Sequence, residues 1–281
     1  MANQNEALQY INQITSQLSK QGQSNIKNEI IWYLESLNML TPTLLYTGKI
    51  NLTKELKYII YNFSLLKQQE LPLQYIMNQA SFFGRDFYIN QNVLIPRPET
   101  ETIIRYLKDK KYNTGLEIGA GSGIISITML LEKIVNSVIA TDISQSAIDV
   151  CKKNIHLFNI TNITLQRHDI LKERIKGEYD IIISNPPYIS LQKFNQLPNH
   201  IKKYEPSHAL TDYQDGLTFY KRFIHIIKKN LNNDGIFICE IGSSRAYKSI
   251  KKLFLNQGFI TKTINDLNKD PRILIVKHPN E

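Results

Sequence analysis

A doubly wound, mostly parallel α/β sheet with an antiparallel last strand, preceded by a small all-α domain, is the architecture the sequence predicts. Three observations carry it. Residues 1–71 space their apolar positions by three and four; from Thr114 onward β-branched runs alternate with helical segments; the last two runs are separated by only a short turn. Alternating βα order requires parallel strands with helices on both faces, whereas a short turn permits only an antiparallel pair.

Helices are expected near 5–19, 26–40 and 52–67. In "IKNEIIWYLESLNML", Ile26, Ile30, Ile31, Leu34, Leu37 and Leu40 share one face, which must be buried against neighbouring helices. Residues 72–100 read as a connector. Aromatic and β-branched residues flank Gly84, Arg85 and Asp86 as a hairpin with its turn there, and Pro98 with Glu99 and Glu101 suits the first turn of a helix through "TIIRYLK". Residues 101–281 hold the sheet. Its strand candidates are 115–119, 137–142, 163–169, 179–185, 235–242, 259–266 and 272–278, with helices near 123–134, 144–158 and 214–231.

Composition excludes several classes. The 281 residues are 42% hydrophobic and 21% charged, ordinary globular usage. No apolar run approaches the roughly 20 residues that span a bilayer, and the start "MANQNEALQYINQ" has neither a basic nor an apolar signal region. A cytoplasmic location is expected. Cys151 and Cys239 lie in no CxxC or Cys/His spacing, and the six histidines form no HxxxH pattern, so neither a disulfide framework nor a metal site is expected. The net charge is +9, yet residues 1–75 carry six Lys, no Arg and five Glu. The excess falls elsewhere, as scattered lysine pairs on helix faces. It speaks weakly for a partner containing RNA and not for a nucleic-acid substrate.

The chemistry gathers at the predicted carboxyl ends of the strands. "LEIGAGSGIISI" places Gly119, Gly121 and Gly123 between the first strand and its helix, where glycine permits a tight turn and close approach of a ligand. A nicotinamide fingerprint would need its third glycine at 124, which is Ile124. Asp142 closes the second strand, placed to accept from ribose hydroxyls. Asp169 closes the third, placed to accept from an adenine amino group, with Ile170 against the ring. Each acid alone reads equally as a helix cap. Together with Glu117 they outline an acidic crevice that repels phosphates and suits a cationic, phosphate-free nucleoside, which describes S-adenosyl-L-methionine.

The fourth strand ends in "NPPY", Asn185 to Tyr188. Two prolines make a plain strand stop, but the flanking residues add function. The Asn185 side-chain carbonyl and the Pro186 backbone carbonyl can grip both hydrogens of a planar NH₂ group while the Tyr188 ring covers its face. Such a clamp favours a pyramidal amide nitrogen and so acts in the transition state.

At these residues the chain resembles the [DN]PP[YF] methyltransferases, and most closely the PrmC/HemK family of peptide chain release factor glutamine N5-methyltransferases. "LIPRPETE", "EIGAGSG", Asp142, "NPPY", "EPSHAL" and "DGL" carry the resemblance, which spans nearly the whole chain. It implies a Rossmann-like class I methyltransferase sheet of seven strands and a helical N-terminal domain, residues 1–71; that domain, small and near-neutral, is a poor nucleic-acid recognition module and is expected to dock a protein substrate. It also implies that Gly119, Ala120, Gly121, Ser122, Gly123, Asp142, Ile170 and Asn185 contact the cofactor, and that Asn185, Pro186, Pro187 and Tyr188 hold the glutamine of a Gly-Gly-Gln motif in release factors. Two positions depart: Ile170 replaces a frequent aromatic, and Asn268 a frequent glycine. A related enzyme that methylates a ribosomal-protein glutamine shares NPPY but not "PRPETE". Adenine N6-methyltransferases share the clamp but need a base-flipping groove and a recognition domain. A binding protein that kept the fold without the reaction would have no use for glycines, acids and clamp together.

Overall fold

The computed structural model describes residues 5–20, 22–242 and 244–279. The chain divides into two compact units, residues 1–79 and 80–281.

The first unit is helical, with helices Glu6–Ser19, Ile26–Ser36, Pro42–Tyr46, Lys54–Gln68 and Leu73–Met77. Side chains cap three of them: Asn5 accepts from Leu8 N, Thr41 from Leu44 N and Thr53 from Leu56 N, each satisfying one of the orphan donors of a first turn. Ile11, Ile14, Leu18, Ile30, Leu34, Ile60 and Phe63 form one buried core. The second helix ends at Ser36 rather than running to 40, because Asn38 adopts φ 56°, and Leu40 reaches the core from the loop.

The second unit opens with a hairpin, β1 (Gln79–Phe82) and β2 (Arg85–Tyr88). Its turn is Phe83-Gly84, both at positive φ, so Arg85 and Asp86 stand within a strand instead of in the turn. Seven further strands follow: β3 (Tyr112–Ile118), β4 (Val135–Asp142), β5 (Ile163–Arg167), β6 (Tyr179–Ser184), β7 (Leu231–Glu240), β8 (Ile260–Asn265) and β9 (Pro271–Lys277). They form one sheet in the order β5-β4-β3-β6-β7-β9-β8. β9 is antiparallel to both neighbours and inserts between β7 and β8.

Alternation along the strands builds two cores. Ile181, Ile183, Ile236, Ile238, Ile273 and Ile275 face one side, packing with helices Glu101–Leu107 and Ile124–Leu131. Ile182, Phe237, Cys239, Leu274 and Val276 face the other, beneath helices Thr218–Asn230 and Ser244–Leu255. Burial on both faces is what continuous apolar strands such as "DIIIS" require. The last of these helices carries no expectation in the sequence reading, and three short ones, Leu191–Asn195, Asn199–Tyr204 and Ser207–Leu210, fill the stretch after NPPY. Helix Thr218–Asn230 starts four residues later than expected because Asp212 accepts from Gly216 N and Thr218 N and holds a turn there.

Candidate active site

Strand order reverses at β3, which is parallel to both neighbours: β4 and β5 lie to one side, β6 and β7 to the other. The crevice beyond the carboxyl ends of β3 and β6 is therefore the topological switch point, where ligands bind in such sheets. Register fixes what stands there. Ile118 pairs with Thr141 on one side and Ser184 on the other, so Gly119, Asp142 and Asn185 are the next residues out on three adjacent strands. Ser184 in turn pairs with Cys239, which sets Glu240 beside Asn185.

A cleft of about 1070 Å³, its open mouth included, occupies this edge. Glu117, Gly119, Ala120, Gly121, Ser122, Asp142, Asp169, Ile170, Asn185, Pro186 and Pro187 all line it, joined by Thr100, Thr141 and Phe219, which the sequence reading did not single out. Gly123 and Tyr188 do not. A Cβ on Gly123 (φ +80°) would overlap Cys151 Sγ, so glycine is needed there to pack the helix against its neighbour. Tyr188 lines an adjoining cavity of about 450 Å³ with Leu94, Arg97, Asn185 and Pro186.

The glycine turn is held by the end of β4. Gly119 N and Ala120 N both donate to Thr141 O at 2.8 and 2.9 Å, and Gly121 N to Asp142 Oδ2 at 2.9 Å. These N–H groups are committed within the protein, which leaves the turn poorly suited to cradling a phosphate. The other Asp142 oxygen accepts from Ser144 N, whose hydroxyl caps the helix Gln145–Leu157. Each carboxylate oxygen has a second lone pair, so Asp142, 9% exposed, still offers acceptors to the cleft.

The three acids share one cleft but do not form the uncompensated acidic crevice expected. Glu117 lies one residue inside β3 and accepts from Ser126 N and Ser126 Oγ. Burial pushes its carboxyl up to about 8, against those hydrogen bonds. Asp169 lies two residues beyond β5 instead of ending it. Its side chain accepts from Leu171 N and pairs with Lys172 at 3.1 Å. Those bonds hold its carboxyl below the ordinary range although desolvation opposes them. What argues against a phosphate ligand is therefore the committed turn rather than a field of three free charges. A roomy, largely apolar crevice with Asp142, Asp169 and Ile170 on its wall fits a neutral nucleoside bearing a cationic tail, and S-adenosylmethionine is such a ligand.

Asn185 and Tyr188 of NPPY are braced by segments far away in sequence. Thr100 Oγ1 donates to Glu240 Oε2 at 2.7 Å, Asn185 Nδ2 donates to Thr100 Oγ1 at 3.3 Å, and the Tyr188 hydroxyl donates to Glu240 Oε1 at 3.2 Å. The Tyr188 ring lies on Gly242, where a Cβ would come within 2.8 Å of it. Gly216 of "DGL" approaches the Tyr188 backbone so closely that a Cβ would stand 2.6 Å from its carbonyl oxygen. Glu205 of "EPSHAL" accepts from Arg97 of "PRPETE". Burial raises the Glu240 carboxyl, while Thr100, Arg272 and Tyr188 pull it back. A lone acid in the apolar run "IFICEIG" was the available signal for Glu240.

Comparison with known proteins places this chain in a family. The model of the methyltransferase small domain matches residues 98–201. The release factor glutamine methyltransferase of Bacillus subtilis (strain 168) is 37% identical over 229 residues, spanning 77% of this chain and 79% of that one. A protein of the same name from Bacillus cereus is 32% identical over 276 residues, 94% and 96% of the two chains. Among solved structures, a methyltransferase from Pyrococcus furiosus superposes with a TM-score of 0.53 at 20% identity, covering 78% of this chain and 94% of its own; that likeness concerns the fold. At such identity and coverage the chain belongs to the release factor glutamine methyltransferase family.

Proposed function

We propose that this protein transfers a methyl group from S-adenosylmethionine to the side-chain amide nitrogen of the glutamine in the Gly-Gly-Gln motif of peptide chain release factors. When bound, the cofactor would supply an electrophilic sulfonium methyl and depart as the neutral thioether S-adenosylhomocysteine, while the amide nitrogen that accepts the methyl would release one proton to solvent. Family membership and the clamp at the switch point support this together. The observation that carries it is the placement of Asn185 and Pro186 on the wall shared by the large cleft and the adjoining cavity. A group held there is reachable from both.

Asn185 Oδ1 and the Pro186 carbonyl accept the two amide hydrogens, and Tyr188 walls the adjoining cavity in which the rest of the glutamine lies. An amide nitrogen is a weak nucleophile because its lone pair is delocalised. Acceptors that favour a pyramidal nitrogen stabilise the transition state beyond the ground state. Alignment at a near-attack distance supplies roughly 7–11 kcal/mol, so no strong general base is required. Glu117, Gly119, Ala120, Gly121, Ser122, Asp142, Asp169 and Ile170 hold the cofactor, and Gly123 shapes the turn from behind.

Residues 1–71 serve to dock the protein substrate, residues 72–100 connect, and residues 101–281 do the chemistry. The enzyme works in the cytoplasm, where its substrates are. No helix among the described residues is long and apolar enough to cross a membrane.

The deciding experiment incubates the protein with labelled S-adenosylmethionine and, separately, a release factor, ribosomal proteins or DNA, followed by mass spectrometry of the acceptor. Label on the Gly-Gly-Gln glutamine is expected. Label on DNA or on a ribosomal protein instead would reverse the assignment.

A further inference from the structure

Glu240 is 1% exposed at the end of β7, directly after the buried apolar run Ile236 to Cys239. A carboxylate in such a place is costly to bury unless its oxygens are well used. Both are: one accepts from Thr100 and the other from Tyr188. Arg272, whose charge also reaches Glu240, is bonded to Asp266, so hydroxyls provide the direct contacts. Thr100 comes from the 3₁₀ turn Pro98–Thr100 of the connector, 140 residues away in sequence.

The consequence is directional. A threonine hydroxyl has one proton. Given to Glu240 at 2.7 Å, it leaves Thr100 Oγ1 able only to accept, and the neighbour that donates is Asn185 Nδ2 at 3.3 Å. The two ends of an asparagine amide are nearly identical in shape, and hydrogen bonding alone chooses between them. With the nitrogen end fixed on Thr100, the oxygen end is the one offered to a ligand. Were the relay reversed, Asn185 would present an NH₂ to an incoming NH₂, donor against donor.

We propose that Thr100 and Glu240 are positioning residues: a one-way relay, Asn185 to Thr100 to Glu240, fixes Asn185 with its carbonyl oxygen as the acceptor for the substrate amide, and Glu240 holds the Tyr188 ring in place through its other oxygen. The assignment rests on the methyl-transfer function proposed above. It also accounts for the connector's Thr100 chemically, since valine would fill the same space without the proton.

The test uses the full chain and four forms: wild type, Thr100→Val, Thr100→Ser and Glu240→Gln. Methylation of a release factor is measured as kcat and KM, affinity for S-adenosylhomocysteine by calorimetry, and the Asn185 side-chain NH₂ resonances by ¹⁵N NMR, assigned through Asn185→Asp. Thr100→Val and Glu240→Gln are expected to lower kcat by about tenfold or more, the scale of one lost oriented hydrogen bond, with S-adenosylhomocysteine affinity held within about threefold. Thr100→Ser should restore kcat to within about threefold of wild type. The Asn185 NH₂ signals should shift in Thr100→Val and return in Thr100→Ser. Unchanged kcat in Thr100→Val, or unmoved Asn185 signals, overturns the relay, as does an equal fall in kcat and cofactor affinity. If Glu240→Gln does not fold, the Thr100 pair decides alone. Wild type that binds S-adenosylhomocysteine but leaves release factor unmethylated overturns the proposed function instead, and the Asn185 signals still report whether the relay exists.

Discussion

Arg97 and Glu205 meet at 2.6 Å across 108 residues of sequence, and the same carboxylate accepts from Ile95 N at 3.4 Å. Glu205 is almost wholly buried, with 2% of its side chain exposed, whereas Arg97 keeps 33%. The pair fastens the segment carrying Thr100 to the stretch that follows NPPY. Replacing Arg97 by Leu leaves a buried carboxylate with one weak donor. A loss of about 2–3 kcal/mol is expected, below the range for a fully buried pair because Arg97 is partly solvated. Urea denaturation of Arg97→Leu beside Arg97→Lys and Glu205→Gln measures it. A midpoint for Arg97→Leu that matches wild type would show that the pair contributes nothing.

Asn185→Ala removes the amide acceptor but leaves the glycine turn and Asp142 untouched. Single-turnover methylation should fall by about 10²–10³-fold, the usual consequence of deleting one oriented group at a reacting centre. Calorimetry should find cofactor affinity little changed. Asp142→Ala should do the opposite, weakening cofactor binding by about tenfold or more through lost charge-assisted acceptors. It also frees Gly121 N and Ser144 N. Asp142→Asn, which keeps one oxygen, should lie between.

Glu117 makes stability depend on pH with a definite sign. Its folded carboxyl holds its proton up to about pH 8, against an ordinary value of 4.5. The unfolded chain releases that proton first, so the folded state binds more protons between those limits and stability falls as pH rises through them. Below about 4.5 both states are protonated and the contribution is complete; above about 8 it is gone. Thermal unfolding should show Glu117→Gln gaining on wild type from pH 5 to pH 8. Parallel curves for the two proteins would mean the carboxyl titrates normally.

Gly123→Ala should destabilise for two separable reasons. Its φ of +80° strains any residue with a Cβ, and that Cβ would overlap Cys151 Sγ. The first term is about 1 kcal/mol; the second adds an overpacking penalty of about 1–3 kcal/mol. Cys151→Ala in the same chain should recover only the second part. A double-mutant cycle by denaturant melts separates them, and simple additivity of the two changes would place the strain elsewhere.

Much of this molecule is written in local pattern. Spacing of three and four over Ile30 and Leu34, the run Ile181 to Ile183 with "NPPY" beyond it, the glycines at 119 to 123 and Asp142 are each legible in a dozen residues, because helix period, strand burial and tight turns are local properties. That sufficed for the succession of strands and for the antiparallel end, but not for the helix Ser244–Leu255, for the three short helices after NPPY, or for Thr100, Thr141 and Phe219 in the cleft wall. What tertiary structure alone decided are the pairings between distant segments: Thr100 with Asn185 and Glu240, Arg97 with Glu205, Gly216 against Tyr188, and the insertion of β9 between β7 and β8. The fold also decides charge: Glu117 is an acid in the sequence, yet burial pushes its carboxyl up to about 8, whereas Asp169 keeps its charge beside Lys172 only three residues on, since the state of an ionisable group depends on its neighbours and on the solvent the fold leaves it.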